Sequence, residues 1–439
     1  MNEIEEARRD AEALERLYRQ ALRTRGETAF REAIVRCLEE HPDDILLSAW
    51  AYRLGIQPMG EKDRLARRGQ LRQWSIAIAA SLLLGTFYVL LAGDKPAIPF
   101  PGQANPAFWL GWSPFLALGV LIYLVAGDGD GKRVQWYVTS MVCIILIALF
   151  TAWISWGRTG AIAGLAAIHL PFTIWAVVGA SVVLGRPEMA REFSAYILKS
   201  VESVLTGGIY LVAGMVSAAL TVGMFAALGI TFSEGALQSL AAWGIGVIPI
   251  LAVASVYSPS SSPMEQDWAT GLARILRILT RLMLPPAFGI LAVYLFGFIP
   301  LYFWRPFMER EILIVYNITI MAIIALLISV VPGPDERVSS RQDSFLRYGV
   351  LATGVLTFLL NAYALAAIAS RTFGYGLTPN RHAVLGWNMV TLIMLLVVMI
   401  RLWRAGARKW ADVLRQSIGR LMLLAIAWAL WVLFGLPYF

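Results

Sequence analysis

The sequence predicts an all-α, polytopic transmembrane helix bundle of about eleven spans, preceded by a small cytoplasmic helical segment. Three observations carry this expectation. A hydrophobic content of 58% over 439 residues, with a mean hydropathy of +0.65, exceeds what a soluble core needs and leaves apolar surface that must face lipid. Runs of about 20 apolar residues, the helix length that crosses a hydrocarbon core of roughly 30 Å, recur from Trp74 to the C-terminus. Charged residues are only 15% of the chain and crowd the N-terminal segment and a few short connections. Together they divide the chain into a cytoplasmic segment, 1–73, and a transmembrane domain, 74–439.

The net charge of +8 comes from basic residues beside apolar runs, where anionic headgroups and membrane orientation account for them. The lipid bilayer is therefore the expected partner, and nucleic acid is not. Cys37 and Cys143 have no Cys or His spacing suited to a metal, and no cofactor is expected. The first thirty residues lack an apolar signal stretch, so the first span is expected to direct insertion itself.

In chain order, residues 2–56 read as two or three helices. Ala7, Ala11, Leu14, Tyr18 and Ala21 repeat at heptad-like spacing, Gly26 interrupts, and Asp43 or Asp44 caps a stretch ending at Gly55. So short a segment has little core of its own. Residues 1–56 therefore either bind a protein partner or a second copy, or form a hairpin against the cytoplasmic face of the bundle. The basic run Lys62, Arg64, Arg67, Arg68 and Arg72 then marks the cytoplasmic side of the first span.

The spans are expected near 74–93, 108–127, 135–155, 160–185, 206–230, 235–257, 282–304, 312–331, 348–370, 383–402 and 417–436. Pro171 in the fourth and Pro285 with Pro286 in the seventh make these two candidates for broken or re-entrant helices. Lys and Arg alternate sides if the N-terminus is inside and the C-terminus outside, as expected for a cell inner membrane. One face collects Lys132, Arg133, Arg186, Arg191, Lys199, Arg274, Arg277, Arg281, Arg337, Arg341, Arg347 and the cluster 401–415. The other keeps Lys95, Arg158, Arg305, Arg310, Arg371 and Arg381. Stretches 265–282 and 401–415 read as amphipathic helices in the interface, either snorkelling linkers or lipid-binding elements.

Candidate chemistry is sparse. Within these boundaries no Asp or Glu enters a span, and the only formal charges are Arg401 and Arg420 at span edges. His169 is the one central titratable group, either a member of a polar cavity with Asn317, Asn361 and Asn388 or a structural residue whose imidazole bonds a carbonyl that Pro171 leaves without a partner. Glu202, just before the fifth span, is positioned to pair with Arg420. Asn317, Asn361 and Asn388 fall on the eighth, ninth and tenth spans at similar depth, either lining one polar cavity or bonding the helices together. Small-residue stripes at Gly160 and Gly164, at Ala219, Gly223 and Ala227, and at Ala362, Ala366 and Ser370 suggest close helix packing. Asp128 and Asp130 form a DxD-like pair best explained as a tight turn. No HExxH, GxSxG, P-loop or GxGxxG motif is present, so no catalytic residue and no enzyme activity is expected.

The segment Arg371-Thr-Phe-Gly-Tyr375-Gly376-Leu377-Thr378-Pro379-Asn380-Arg381 joins two spans and resembles the YGLTxxR signature of bacterial membrane proteins catalogued as domain of unknown function 4153. The stretch 276–296, LRILTRLMLPPAFGILAVYLF, also resembles that family, while His382 stands where an aromatic residue is usual. The resemblance implies a bacterial inner-membrane protein and no specific activity. Physically, Gly376 permits a turn after Tyr375, Thr378 suits a helix cap, and Pro379 suits a first helical turn. Arg371 and Arg381 would then flank the outer mouth of any asparagine-lined cavity, a place for an anionic group. Two readings follow: a transport or channel-like protein with a polar cavity in its C-terminal half, or a non-catalytic scaffold, sensor or subunit whose N-terminal helices hold a partner.

Overall fold

The computed structural model describes residues 2–24, 26–41, 44–55, 61–93, 106–128, 131, 133–155, 161–268, 271–333 and 339–438, with no side-chain description at 39, 61–68, 106, 407 and 408. Asp43, Lys95, Asp130, Lys132, Arg158, Gly160 and Arg337, with the side chains of Lys62, Arg64, Arg67, Arg68 and Arg408, lie outside the described residues. The chain divides into two compact units, Met1–Arg72 and Gln73–Phe439.

The first unit contains four short helices, α1 (Asn2–Ala7), α2 (Ala11–Arg23), α3 (Glu27–Glu40) and α4 (Ile45–Arg53). Asp10 caps α2, its Oδ1 accepting from the Glu12 and Ala13 amides, and Asp44 caps α4 in the same way through Leu46 and Leu47. Contrary to the expectation of little core, Leu14, Ile34, Leu47 and Ala51 are fully buried. Trp50 explains the difference: it packs against Tyr18 and Phe30 at ring separations of 5.3 and 5.8 Å, supplying the area that four short helices otherwise lack. Arg53 lies 4.5 Å over the Trp50 ring and pairs with Glu15. Hydrogen bonds from Arg53 and then Arg19 hold the exposed Glu15 carboxyl below its usual range. Burial pushes the Cys37 thiol up, so it is a packed, unreactive group.

The second unit is all helix, with no strand among the described residues. Among the described residues, eleven helices are long and apolar enough to cross a membrane. They are contained in α5 (Glu61–Ala92), α6 (Pro106–Gly127), α7 (Val134–Ser155), α8 (Ala161–Val183), α9 (Met189–Ala227), α10 (Glu234–Val256), α11 (Gly271–Val293), α12 (Arg310–Ser329), α13 (Ser340–Tyr375), α14 (Pro379–Gly406) and α15 (Lys409–Tyr438). The chain is thus a polytopic, all-α integral membrane protein.

Three local expectations change. First, α8 continues through Pro171 and α11 through Pro285 and Pro286, and α11 ends in a π-turn at Tyr294–Phe298. Neither span is broken, because a bundle interior tolerates the bonds that proline removes. Second, the segment after Gly271 is not a separate helix but is continuous with the seventh candidate span. Its polarity is inverted: Ile275, Ile278, Leu279 and Leu282 are exposed, whereas Arg277 is buried. Arg277 fits against Gly333, where a Cβ would come within 2.5 Å of its Nη1. In a bilayer the apolar face points outward and a guanidinium finds its partners inside. Third, the basic stretch 401–415 belongs to α14 and α15, which meet at Gly406 in the left-handed region (φ 69°).

Packing forms two apolar cores. One joins the start of α9 with α11–α15, and the other joins α5–α8 with α10. The closest glycine crossing lies outside the small-residue stripes, since a Cβ on Gly164 or Gly223 would meet nothing within 4 Å. It is Gly246 of α10 against Gly85 of α5, where a Cβ on Gly246 would come within 2.7 Å of the Gly85 backbone. Beyond Tyr210, α9 leaves these cores, and Leu211, Val212, Met215, Val216, Leu220 and Met224 are all exposed.

Candidate functional site

The three asparagines meet. Asn388 of α14 donates through Nδ2 to Asn317 Oδ1 of α12 at 2.9 Å and to the Val384 carbonyl at 2.9 Å. Asn361 of α13 donates to the Asn388 carbonyl at 3.1 Å, and Asn317 donates to the Leu313 carbonyl at 2.8 Å. Asn361 and Asn388 are 0% and 2% exposed, so the cluster is packed between helices and binds them together. The Oδ1 atoms of Asn361 and Asn388 nevertheless meet no protein donor.

His169 is separate from this cluster and ties α8 to α14. Its Nδ1–H donates to the Leu165 carbonyl at 2.8 Å, which makes Nε2 the acceptor of the Trp387 indole N–H at 2.7 Å. The carbonyl it uses is its own i−4 partner, not the one Pro171 releases, because the side chain folds back along the preceding turn. With donor and acceptor both engaged, the ring is a structural tie. Replacing Trp387 with Phe is expected to leave a buried Nε2 unpaired and to cost about 1–3 kcal/mol of stability, measured by thermal unfolding in nanodiscs.

The Arg371–Arg381 segment is a capped turn. Gly376 ends α13 with φ 80°, Thr378 Oγ1 accepts from the Arg381 amide, and Pro379 opens α14. Arg371 donates to the Met308 carbonyl at 3.0 Å, and Arg381 donates to the Gly376 carbonyl at 2.6 Å while facing the Tyr375 ring. Both guanidinium groups thus hold backbone at this turn.

Sequence reasoning missed a buried charged node. Because α9 begins at Met189, Lys199 and Glu202 lie within the helix, and Glu202 pairs with Lys199 at 2.9 Å instead of reaching Arg420, which is exposed. Lys199 is 1% exposed; its Nζ also donates to the Asp267 carbonyl at 2.6 Å and lies 4.4 Å over the Trp268 ring. Nearby, Glu192 accepts from the Met264 amide at 3.1 Å. The loop that supplies these partners is folded by Gln266, which accepts from the Ser258 amide and donates to the Ser258 and Ser261 carbonyls. Glu265, accepting from Ser262, is held below the usual carboxylate range.

Beside this node opens a cavity of about 1520 Å³, bounded by α6, α8, α9 and α10. Ordinary ligand pockets are roughly 300–1,000 Å³. On α9 the lining runs from Tyr196 to Val222, about 39 Å of helix and enough to cross a hydrocarbon core. Lys199, Ser200, Ser203 and Tyr257 gather at one end, while Val204, Leu211, Met215, Leu240 and Ile248 wall the remainder. Farther along, Ser217 and Thr221 donate to carbonyls one turn back and Tyr210 bonds Ser255, while the Ser113 hydroxyl and the Trp112 indole N–H on α6 meet no protein partner. The lining is therefore predominantly apolar, with the charged Lys199 node at one end and the Trp112 and Ser113 polar atoms on α6.

No protein-family model, no curated protein and no solved structure matches this chain.

Proposed function

We propose that this membrane protein takes up a membrane lipid or similar amphiphile, tail first, in the groove beside α9, as a lipid-handling transport protein. The observation that carries the reading is the predominantly apolar lining of the 1520 Å³ cavity, with a charged node at one end. A wall that is predominantly aliphatic and aromatic favours acyl chain over water, and the end bearing Lys199, Ser200 and Tyr257 suits a headgroup. The groove, rather than the asparagine cluster, thus carries the transport reading. The distribution of Lys and Arg supports an N-terminus in the cytoplasm. The YGLTxxR-like turn supports a place among bacterial inner-membrane proteins.

Gly214 lines the groove, and a Cβ there meets nothing within 4 Å, so Gly214→Trp, alone or with Ala218→Trp, fills the space without disturbing a neighbouring helix. Native mass spectrometry of wild type is expected to show tightly held lipid that both variants lose at unchanged thermal stability. Equal lipid retention in wild type and variants contradicts the reading.

A second reading, a partner-binding subunit, is favoured by one observation on the N-terminal unit: Ile45 and Tyr52 on α4 are 85% and 71% exposed. Ile45→Glu with Tyr52→Glu is expected to abolish any stoichiometric copurifying protein while leaving the groove's lipid in place.

A further inference from the structure

We infer that the asparagine cluster is a binding site for a single monovalent alkali cation, held by the amide oxygens of Asn361 and Asn388. The argument is a count of donors and acceptors. Both N–H bonds of Asn388 are used, on Asn317 Oδ1 and the Val384 carbonyl. Asn361 directs its Nδ2 to the Asn388 carbonyl, which fixes the two residues side by side, and Asn317 directs its Nδ2 to Leu313. Two fully buried acceptors, Asn361 Oδ1 and Asn388 Oδ1, remain without a donor from the protein. At membrane depth an unmatched acceptor is costly, and two on adjacent residues select a ligand that brings positive charge.

Two further oxygens lie on the same helix faces. Thr357, one turn before Asn361, is fully buried, and its hydroxyl donates to the Thr353 carbonyl, leaving its lone pairs as acceptors. Thr391, about one turn after Asn388, is also buried. A water donating to both oxygens is the competing occupant, and dependence on the alkali ion separates the two. The charge of the ion follows from the sequence: no Asp, Glu, Lys or Arg occurs in 312–329, 348–370 or 382–400. A wholly neutral oxygen set can replace the hydration shell of Na⁺ or K⁺, as carbonyl rings do in channels, but leaves a divalent ion with too much unbalanced charge. The site is remote in sequence from the groove residues, and the inference stands without the lipid reading.

The test is thermal unfolding of the full chain in nanodiscs in NaCl, KCl, CaCl₂ or N-methylglucamine chloride at constant ionic strength. Wild type is expected to gain a saturable increase in melting temperature with Na⁺ or K⁺, and no saturable increase with Ca²⁺. Asn361→Asp, which keeps the shape and adds a charge, is expected to lower the half-saturating concentration by roughly tenfold or more, and Asn361→Val to abolish the shift. If Asn361→Val does not fold, Asn361→Asp carries the test alone. No saturable alkali-ion effect in wild type, as for a water-filled cluster, overturns the inference. So does a shift of equal midpoint in wild type and Asn361→Asp, which places the ion elsewhere.

Discussion

Replacing Lys199 with Met is expected to destabilise the membrane domain by about 3–5 kcal/mol, one of the largest effects available to a single side chain here. The pair lies in a low-dielectric setting, with the Lys199 side chain 2% exposed and Glu202 12% exposed. Removing the ammonium strands the Glu202 carboxylate and also takes the donor from the Asp267 carbonyl and the cation from the Trp268 ring. The double variant Lys199→Met/Glu202→Leu removes both charges and is expected to recover much of the loss, since apolar groups of similar volume replace a buried ion pair at little net cost. Thermal unfolding in nanodiscs measures the cycle. Equal destabilisation in the single and double variants would show that the charges are not coupled.

Gly246→Val is expected to be comparably severe. The obstruction is the Gly85 backbone, 2.7 Å from the new Cβ, so α5 and α10 must separate instead of merely changing a rotamer. Overpacking of this kind costs about 1–3 kcal/mol and often more where backbone must move. Gly164→Ala, a substitution within a small-residue stripe but with nothing within 4 Å of its Cβ, is the control and is expected to stay within about 0.5 kcal/mol of wild type.

These two sites show where sequence reasoning runs out. Span number is legible because hydrocarbon thickness dictates length and composition within each helix, with no tertiary information required. The Thr378 cap is legible for the same reason: cap, proline and glycine act within a few residues of one another. Lys199 is not, because its partners Asp267 and Trp268 lie in a loop nearly seventy residues away, and only the extension of α9 back to Met189 brings them together. Ser81 with Gly85 and Ala242 with Gly246 show the same four-residue small spacing as Gly223 with its neighbours, where a Cβ on Gly223 would meet nothing within 4 Å, so nothing local distinguishes the crossing pair. The burial of Arg277 is not legible either, because an amphipathic pattern gives the angle between faces without saying which faces inward. The groove is least legible of all, since it is defined by what the outer half of α9 does not touch.

The central claim, that the groove beside α9 holds lipid tails, is tested most directly by photocrosslinking. A phospholipid carrying a diazirine in its acyl chain is reconstituted with the full-length protein and irradiated, and labelled residues are mapped by peptide mass spectrometry. Labelling is expected to concentrate on groove residues such as Leu211, Met215, Leu240 and Ile248, and to disappear from them in Gly214→Trp. Even labelling of outward-facing positions such as Leu146, Ile290 and Ile318, with no excess in the groove and no response to Gly214→Trp, would contradict the account.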